Sequence, residues 1–255
     1  SRGLGDVYKR QNLHSGLDFY HGRLWKVADA DDTHVTFEMD SPDGDQGYPG
    51  ALVMKVTYSL DEENTLMIHY EAEPDQDTII NMTNHSYFNL NGHKSGDVLN
   101  HTLWLNADAF TPADAASIPT GEIRSVEGTP MDFRTDKTIG KDIEADYEPL
   151  VFGKGYDHNW VLKNEGEFDK VAEVAGDESG IHMSVLTDLP GVQIYTANFL
   201  DGVKGRDGAV YEMRDAICLE TQYYPDAIHH ENFPGPICKK GEKYDTRTAY
   251  RFRVK

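Results

Sequence analysis

The residues best suited to chemistry fall in four short clusters. The first is Asn81-Met82-Thr83-Asn84-His85-Ser86-Tyr87-Phe88-Asn89-Leu90-Asn91-Gly92, which sets an imidazole among aromatics and amides. An imidazole titrates near neutrality, so a well-placed histidine can give or take a proton at pH 7. In an extended segment His85, Tyr87 and Asn89 share one face by the period of two. The second cluster, Gly155-Tyr156-Asp157-His158-Asn159-Trp160, carries a carboxylate among aromatics after a glycine turn. The third, Leu219-Glu220-Thr221-Gln222-Tyr223-Tyr224-Pro225, follows the apolar run Ala216-Ile217-Cys218 and puts Glu220 at the end of a buried strand. The fourth is Asn12-Leu13-His14-Ser15-Gly16. Each residue alone has a plainer reading: a structural histidine, an Asx-turn acceptor at Asp157, a solvated Glu220, core aromatics. Together, two histidines, two carboxylates, amides and aromatics are the parts of a pocket that stacks on a sugar ring and moves protons.

The elements that must position these groups read as β throughout. Period-two alternation marks strands at His34–Met39, Leu52–Leu60, Thr65–Ala72, Thr102–Leu105, His182–Thr187, Val192–Thr196 and Arg247–Val254. Turn residues separate them at Pro42-Asp43-Gly44-Asp45, Asn91-Gly92, Asp188-Leu189-Pro190-Gly191 and Asp201-Gly202. Strands at short spacing with polar turns predict an all-β fold, a large antiparallel β-sandwich. No internal repeat and no linker composition interrupts the chain, so one domain is expected over residues 12–255. Ser1 to Gln11 has no periodicity and reads as a segment foreign to the fold. The stretch from Phe110 to Phe152 lacks clear strands and is expected to form a wall of a binding cleft.

Composition narrows the function. The 255 residues carry 44 acidic and 24 basic side chains, a formal net charge of −20. So negative a surface repels phosphate backbones and anionic lipid, which argues against nucleic-acid and membrane partners and for a neutral ligand. Two cysteines, Cys218 and Cys238, make no disulfide framework and fit a reduced, cytoplasmic setting. No apolar run approaches the ~20 residues needed to span a bilayer. Asp43-Gly44-Asp45-Gln46-Gly47 opens like a calcium loop, but Gly47 fills the third ligand position, so a β-turn is the better reading. His229-His230 lacks companions at zinc spacing, so no metal is expected. Neither a phosphate-cradling glycine loop nor a nucleophile elbow is present.

The clusters, in order, resemble the signature segments of the aldose 1-epimerases. The resemblance rests on Asn12–Gly16 with Trp25, Ser41–Gly44 through Tyr48-Pro49-Gly50, Asn84–Leu90, Asp132-Phe133-Arg134 and Gly155–His158. It continues through Pro190–Thr196, Asn198-Phe199-Leu200, Leu219–Gln222 and Asn232-Phe233-Pro234. What it implies is a galactose mutarotase-like supersandwich with an open sugar cleft, acting on a free aldohexose without a cofactor, as a monomer or weak dimer. By matching motif, His85 would protonate the ring oxygen, Glu220 would take the C1 hydroxyl proton, and His14 would polarise near C1. Asp157, Gln193 and Tyr87 would hold sugar hydroxyls. The family's N-terminal strands and a sugar-contacting Asn-Arg pair have no counterpart here, and Ser15 stands where a glycine is more usual.

Two other readings stay open on residue types alone. A glycosidase could use Asp157 and Glu220 as its carboxylate pair. A non-catalytic carbohydrate-binding sandwich would use the same aromatics and amides.

Overall fold

A computed structural model describes residues 12–16 and 18–255; Ser1 to Gln11, read above as foreign to the fold, lie outside the described residues. The strands begin with β1 (Lys26–Ala30), β2 (His34–Ser41), β3 (Leu52–Leu60), β4 (Thr65–Pro74) and β5 (Thr78–Ile79). Next come β6 (Thr102–Leu105), β7 (Ala107–Thr111), β8 (Arg124–Ser125), β9 (Lys137–Thr138) and the short helix α1 (Glu148–Gly153). Then follow β10 (Asp157–Leu162), β11 (Asp169–Ala175), β12 (Ile181–Thr187), β13 (Gly191–Tyr195), β14 (Val203–Lys204) and β15 (Val210–Tyr211). The series closes with β16 (Cys218–Gln222), β17 (Ile237–Cys238) and β18 (Tyr244–Val254). Each strand expected from alternation is present.

The chain folds as two compact units that interleave in sequence. One holds the described residues up to Asp61 with Leu66–Asn81 and Pro236–Arg247; the other holds Glu62–Thr65, Met82–Gly235 and Thr248–Lys255. Because the chain passes between them several times, no linker of distinctive composition marks the division.

In the first unit, β1 to β4 form an antiparallel meander, and β5 pairs with β17. All five residues of β1 are exposed. The Pro42–Asp45 turn runs into a short 3₁₀ turn, where Asp45 receives two hydrogen bonds from Arg23, at 2.6 and 2.9 Å. The Arg23 guanidinium holds the Asp45 carboxyl down at about 2. Asp45 is thus a structural anion, in keeping with a turn rather than a calcium loop.

The second unit is an antiparallel sandwich. One sheet has the order β16-β13-β10-β7-β8, and the other runs β18-β12-β11-β6-β9. They face each other where Thr221 and Thr248 share a 2.5 Å hydroxyl hydrogen bond and the Tyr250 hydroxyl donates to the Leu219 carbonyl at 2.9 Å. Beneath β10 lies the aromatic core: Trp160, Tyr156, Phe110 and Phe133, each at most 1% exposed. The Trp160 indole N–H finds its partner in the Met131 carbonyl at 3.1 Å, as a buried indole must. The stretch from Phe110 to Phe152, expected as a cleft wall, buries Val126, Met131, Phe133, Ile139, Ile143 and Leu150. Much of it is core, covering one end of β10.

Gly191 shows how tightly the five-stranded sheet is built. A Cβ there would lie 2.4 Å from Asn159 Oδ1 and 2.9 Å from the Tyr224 ring. Gly191→Ala must displace a buried amide, so it is expected to destabilise the protein by about 1–3 kcal/mol. A thermal midpoint equal to that of the parent would show that the sheet spreads freely at this point.

Candidate active site

The five-stranded sheet sorts its side chains by register. Asp157 on β10 pairs with Tyr195 on β13, and Tyr195 pairs with Cys218 on β16. One step of two further along, Asn159 pairs with Gln193, and Gln193 with Glu220. Directly opposed residues project to the same face, so Asp157, Asn159, Gln193, Tyr195, Cys218 and Glu220 line one polar surface. The intervening residues His158, Trp160, Ile194 and Leu219 point the other way, into the core. His158, part of the second cluster, is therefore not a site residue: it packs edge-on to Phe110 and Trp160, and burial pushes its imidazole down to about 4.

His85 comes to this surface from a segment that is not a strand. Residues 81–87 make no regular ladder, and the only strand-like anchor among them and their neighbours in the described structure is the Phe88–Ile217 bridge. Phe88 and Ile217 exchange backbone hydrogen bonds of 2.9 and 3.0 Å, which ties the segment to the entrance of β16. The result is that His85 Nε2 lies 3.6 Å from Glu220 Oε1. Tyr87 stacks on the imidazole at 5.0 Å, and Tyr195 meets it edge-on at 5.8 Å. Asn89, expected on the same face, is instead bound into the following turn: its amide donates to the Gly96 and Asp215 carbonyls.

Electrostatics follow from burial. The Glu220 side chain is 9% exposed, and loss of hydration together with the nearby Asp157 charge raises its carboxyl to about 8. Burial also pushes Asp157 upward, partly offset by the hydrogen bond that Gln193 Nε2 donates to it at 2.8 Å. Burial lowers His85. Two groups with affinities displaced toward each other's range share a proton between them near neutral pH. Tyr87 is 48% exposed, and its phenol is held protonated by desolvation, so it can donate a hydrogen bond.

Of the residues singled out in the sequence, His85, Glu220, Asp157, Gln193 and Tyr87 are thus gathered in the second unit. His14 belongs to the first unit and is exposed, in a turn where His14, Ser15 and the buried Gly16 all have positive φ. Sequence reasoning gave Tyr195 no role, although its place two residues after Gln193 was the signal available. In the first unit His69, Glu71 and Asp245 come close enough to hold a cation, but the Lys243 ammonium already bridges the two carboxylates at 2.7 and 2.9 Å.

An imidazole beside a buried carboxyl, ringed by phenols and amides on a β-sandwich, has the composition of an acid–base catalyst for a polar, uncharged ligand. The aldose 1-epimerase family profile matches residues 7–251. Galactose mutarotase of Bos taurus is 43% identical over 244 residues, covering 95% of this chain and 69% of that one. Aldose 1-epimerase of Escherichia coli strain K12 is 39% identical over 243 residues, with coverage of 94% and 70%. The chain belongs to the aldose 1-epimerase family and is an isomerase. Among solved structures, an aldose epimerase homologue from C. elegans matches with a TM-score of 0.86 at 32% identity, over 95% of this chain and 72% of that one. Galactose 1-epimerase from Lactobacillus acidophilus matches at 0.82 and 28%, over 95% and 70%. The expected galactose mutarotase-like β-sandwich is therefore the fold. No helix among the described residues is long and apolar enough to cross a membrane.

Proposed function

We propose that this aldose 1-epimerase interconverts the α and β anomers of free galactose and glucose, with His85 and Glu220 as its proton-transfer pair. The observation that carries the reading is the 3.6 Å approach of His85 Nε2 to Glu220 Oε1 on a polar, aromatic-lined sheet face. Ring opening needs one proton removed from the C1 hydroxyl and one delivered to the ring oxygen. In the tautomer that has the pair's shared proton on His85, Glu220 as carboxylate takes the first, imidazolium His85 supplies the second, and the C1–O5 bond breaks to leave an open-chain aldehyde. After rotation about C1–C2 the pair runs in reverse, and reclosure on the other carbonyl face gives the other anomer. Protons and electrons balance within the pair.

Asp157, Gln193 and Tyr87 are the proposed ligands of sugar hydroxyls. The Gln193–Asp157 hydrogen bond supports this for the first two, because it fixes the carboxylate and leaves acceptor capacity for a sugar hydroxyl. His14 is proposed to polarise near C1 on the strength of its motif alone. The buried, free Cys218 and Cys238 support a cytoplasmic role, ahead of sugar phosphorylation.

Polarimetry of freshly dissolved α-D-galactose and α-D-glucose tests the reading. The protein is expected to speed the approach to anomeric equilibrium and to release no nitrophenol from aryl glycosides. Sugar binding without acceleration would mark a carbohydrate-binding sandwich, and nitrophenol release a glycosidase; either outcome removes the proposed reaction.

A further inference from the structure

The start of β10 and the end of β13 carry Asp157 and Tyr195, and a buried cation lies just beyond them. Arg214 is 7% exposed. Its Nη2 donates to the Lys154 carbonyl at 2.5 Å; its Nη1 donates to Asn198 Oδ1 and, at 3.4 Å, to Thr196 Oγ1. These hydrogen bonds end on a carbonyl, an amide and a hydroxyl rather than on a carboxylate. Asn198 passes the connection on, its Nδ2 donating to the Gly153 and Tyr156 carbonyls at 2.7 and 3.0 Å. The Thr196 backbone N–H also donates to the Tyr156 carbonyl, at 3.1 Å.

The turn held in this way is an unusual one. Lys154 closes α1 at φ 55 and Gly155 follows at φ 127. A Cβ at Gly155 would stand 2.5 Å from Arg214 Nη1, so the glycine is required both by its backbone and by the guanidinium against it. Two residues later the chain delivers Asp157. Keeping an arginine dehydrated among neutral acceptors is costly, and only a planar fork reaches Lys154, Thr196 and Asn198 at once.

We propose that Arg214 is a positioning residue for the sugar site: its guanidinium binds Lys154, Thr196 and Asn198 into one frame that sets Asp157 and Tyr195. The proposal rests on the reading of Asp157 as a sugar ligand. Removing the guanidinium leaves the Lys154 carbonyl and Asn198 Oδ1 without their donor, which lowers stability whether Arg214 only packs or also positions. Only a positioning role also loosens the turn selectively and, by displacing the carboxylate a fraction of an ångström, weakens sugar binding.

The test uses Arg214→Met, Arg214→Lys and Asp157→Asn in the full chain. Mutarotation kinetics, thermal unfolding and amide hydrogen exchange over residues 153–157 are measured for each. Arg214→Met is expected to raise KM roughly tenfold while kcat changes less than about threefold, the pattern of lost uniform binding. Exchange at Tyr156 and Asp157 is expected to accelerate more than exchange elsewhere in the sheet, and Arg214→Lys to fall between parent and Met. Should the Met variant fail to fold, the Lys variant carries the same comparison. An unchanged KM, or a raised KM with parental exchange in the turn, overturns the proposal. Asp157→Asn with a parental KM would instead remove Asp157 as a sugar ligand, and the exchange arm alone would then decide whether Arg214 builds the turn.

Discussion

Replacing Glu220 by glutamine is expected to lower kcat for mutarotation by about 10²–10⁴-fold, the usual worth of one positioned acid–base group. The same substitution is expected to stabilise the protein at alkaline pH. The sign follows from the carboxyl's folded value of about 8 against an ordinary 4.5. Below the ordinary value both folded and unfolded chains keep the proton, and the carboxyl costs nothing extra. Between 4.5 and 8 only the folded chain keeps it, so stability falls with each step of rising pH, levelling off above 8. Glutamine does not titrate. At pH 4 the variant and parent should therefore melt close together, at pH 6 the variant should be ahead by about 2 kcal/mol, and at pH 9 by about 5 kcal/mol, roughly 10–20 °C in a chain of this size. Loss of activity without this alkaline gain would mean that Glu220 is hydrated in solution and not the buried acid described here. A site that sacrifices stability in this way is what acid–base catalysis demands, since the ionised form must be uncomfortable enough to reach for a proton.

How much of this was legible in the sequence varied with how each strand is buried. β3, β12 and β18 border solvent on at least part of their length, so alternation marks them. β16 is buried at every position, Cys218 to Gln222, and its polar residues hide among apolar ones without any period. It was legible only through the apolar run before it and through its resemblance to a family motif. The meeting of Asp157, Gln193 and Glu220 is a matter of register, Asp157 with Tyr195 and Gln193 with Glu220. No spacing along the chain encodes that register, because β10 and β16 are far apart in sequence and adjoin only through β13. Arg214 was invisible for the opposite reason. In Met213-Arg214-Asp215 it reads as a solvated loop residue, and only the fold shows it closed in beneath the turn that leads to Asp157. Asn89 misled because period two was applied to a segment that has no ladder beyond the isolated bridge at Phe88.

The division of labour between His85 and Glu220 can be read from a reversal of pH dependence. In the parent the pair works with one shared proton, and the protonation states that matter belong to the pair rather than to either residue. Gaining a second proton, below the lowered range of His85, blocks the base; losing the only one, near pH 8, removes the acid. Parental kcat/KM should therefore be flat around neutrality and fall about tenfold per unit above pH 8. His85→Asn leaves the stacked Tyr87 and the buried carboxyl in place but removes the proton donor, and kcat should drop by about 10²–10⁴-fold. In that variant the residual rate depends on Glu220 alone. If Glu220 is the base, only its ionised form works, and the residual rate should climb with pH and level off above about 8. If Glu220 were the acid, the residual rate would fall over the same range. Because the two groups act in one ring-opening step, His85→Asn combined with Glu220→Gln should be at most about tenfold slower than the worse single variant. Fully multiplicative losses would show instead that the two side chains work on separate steps, and the 3.6 Å pair would then be a neighbour relation without catalytic meaning.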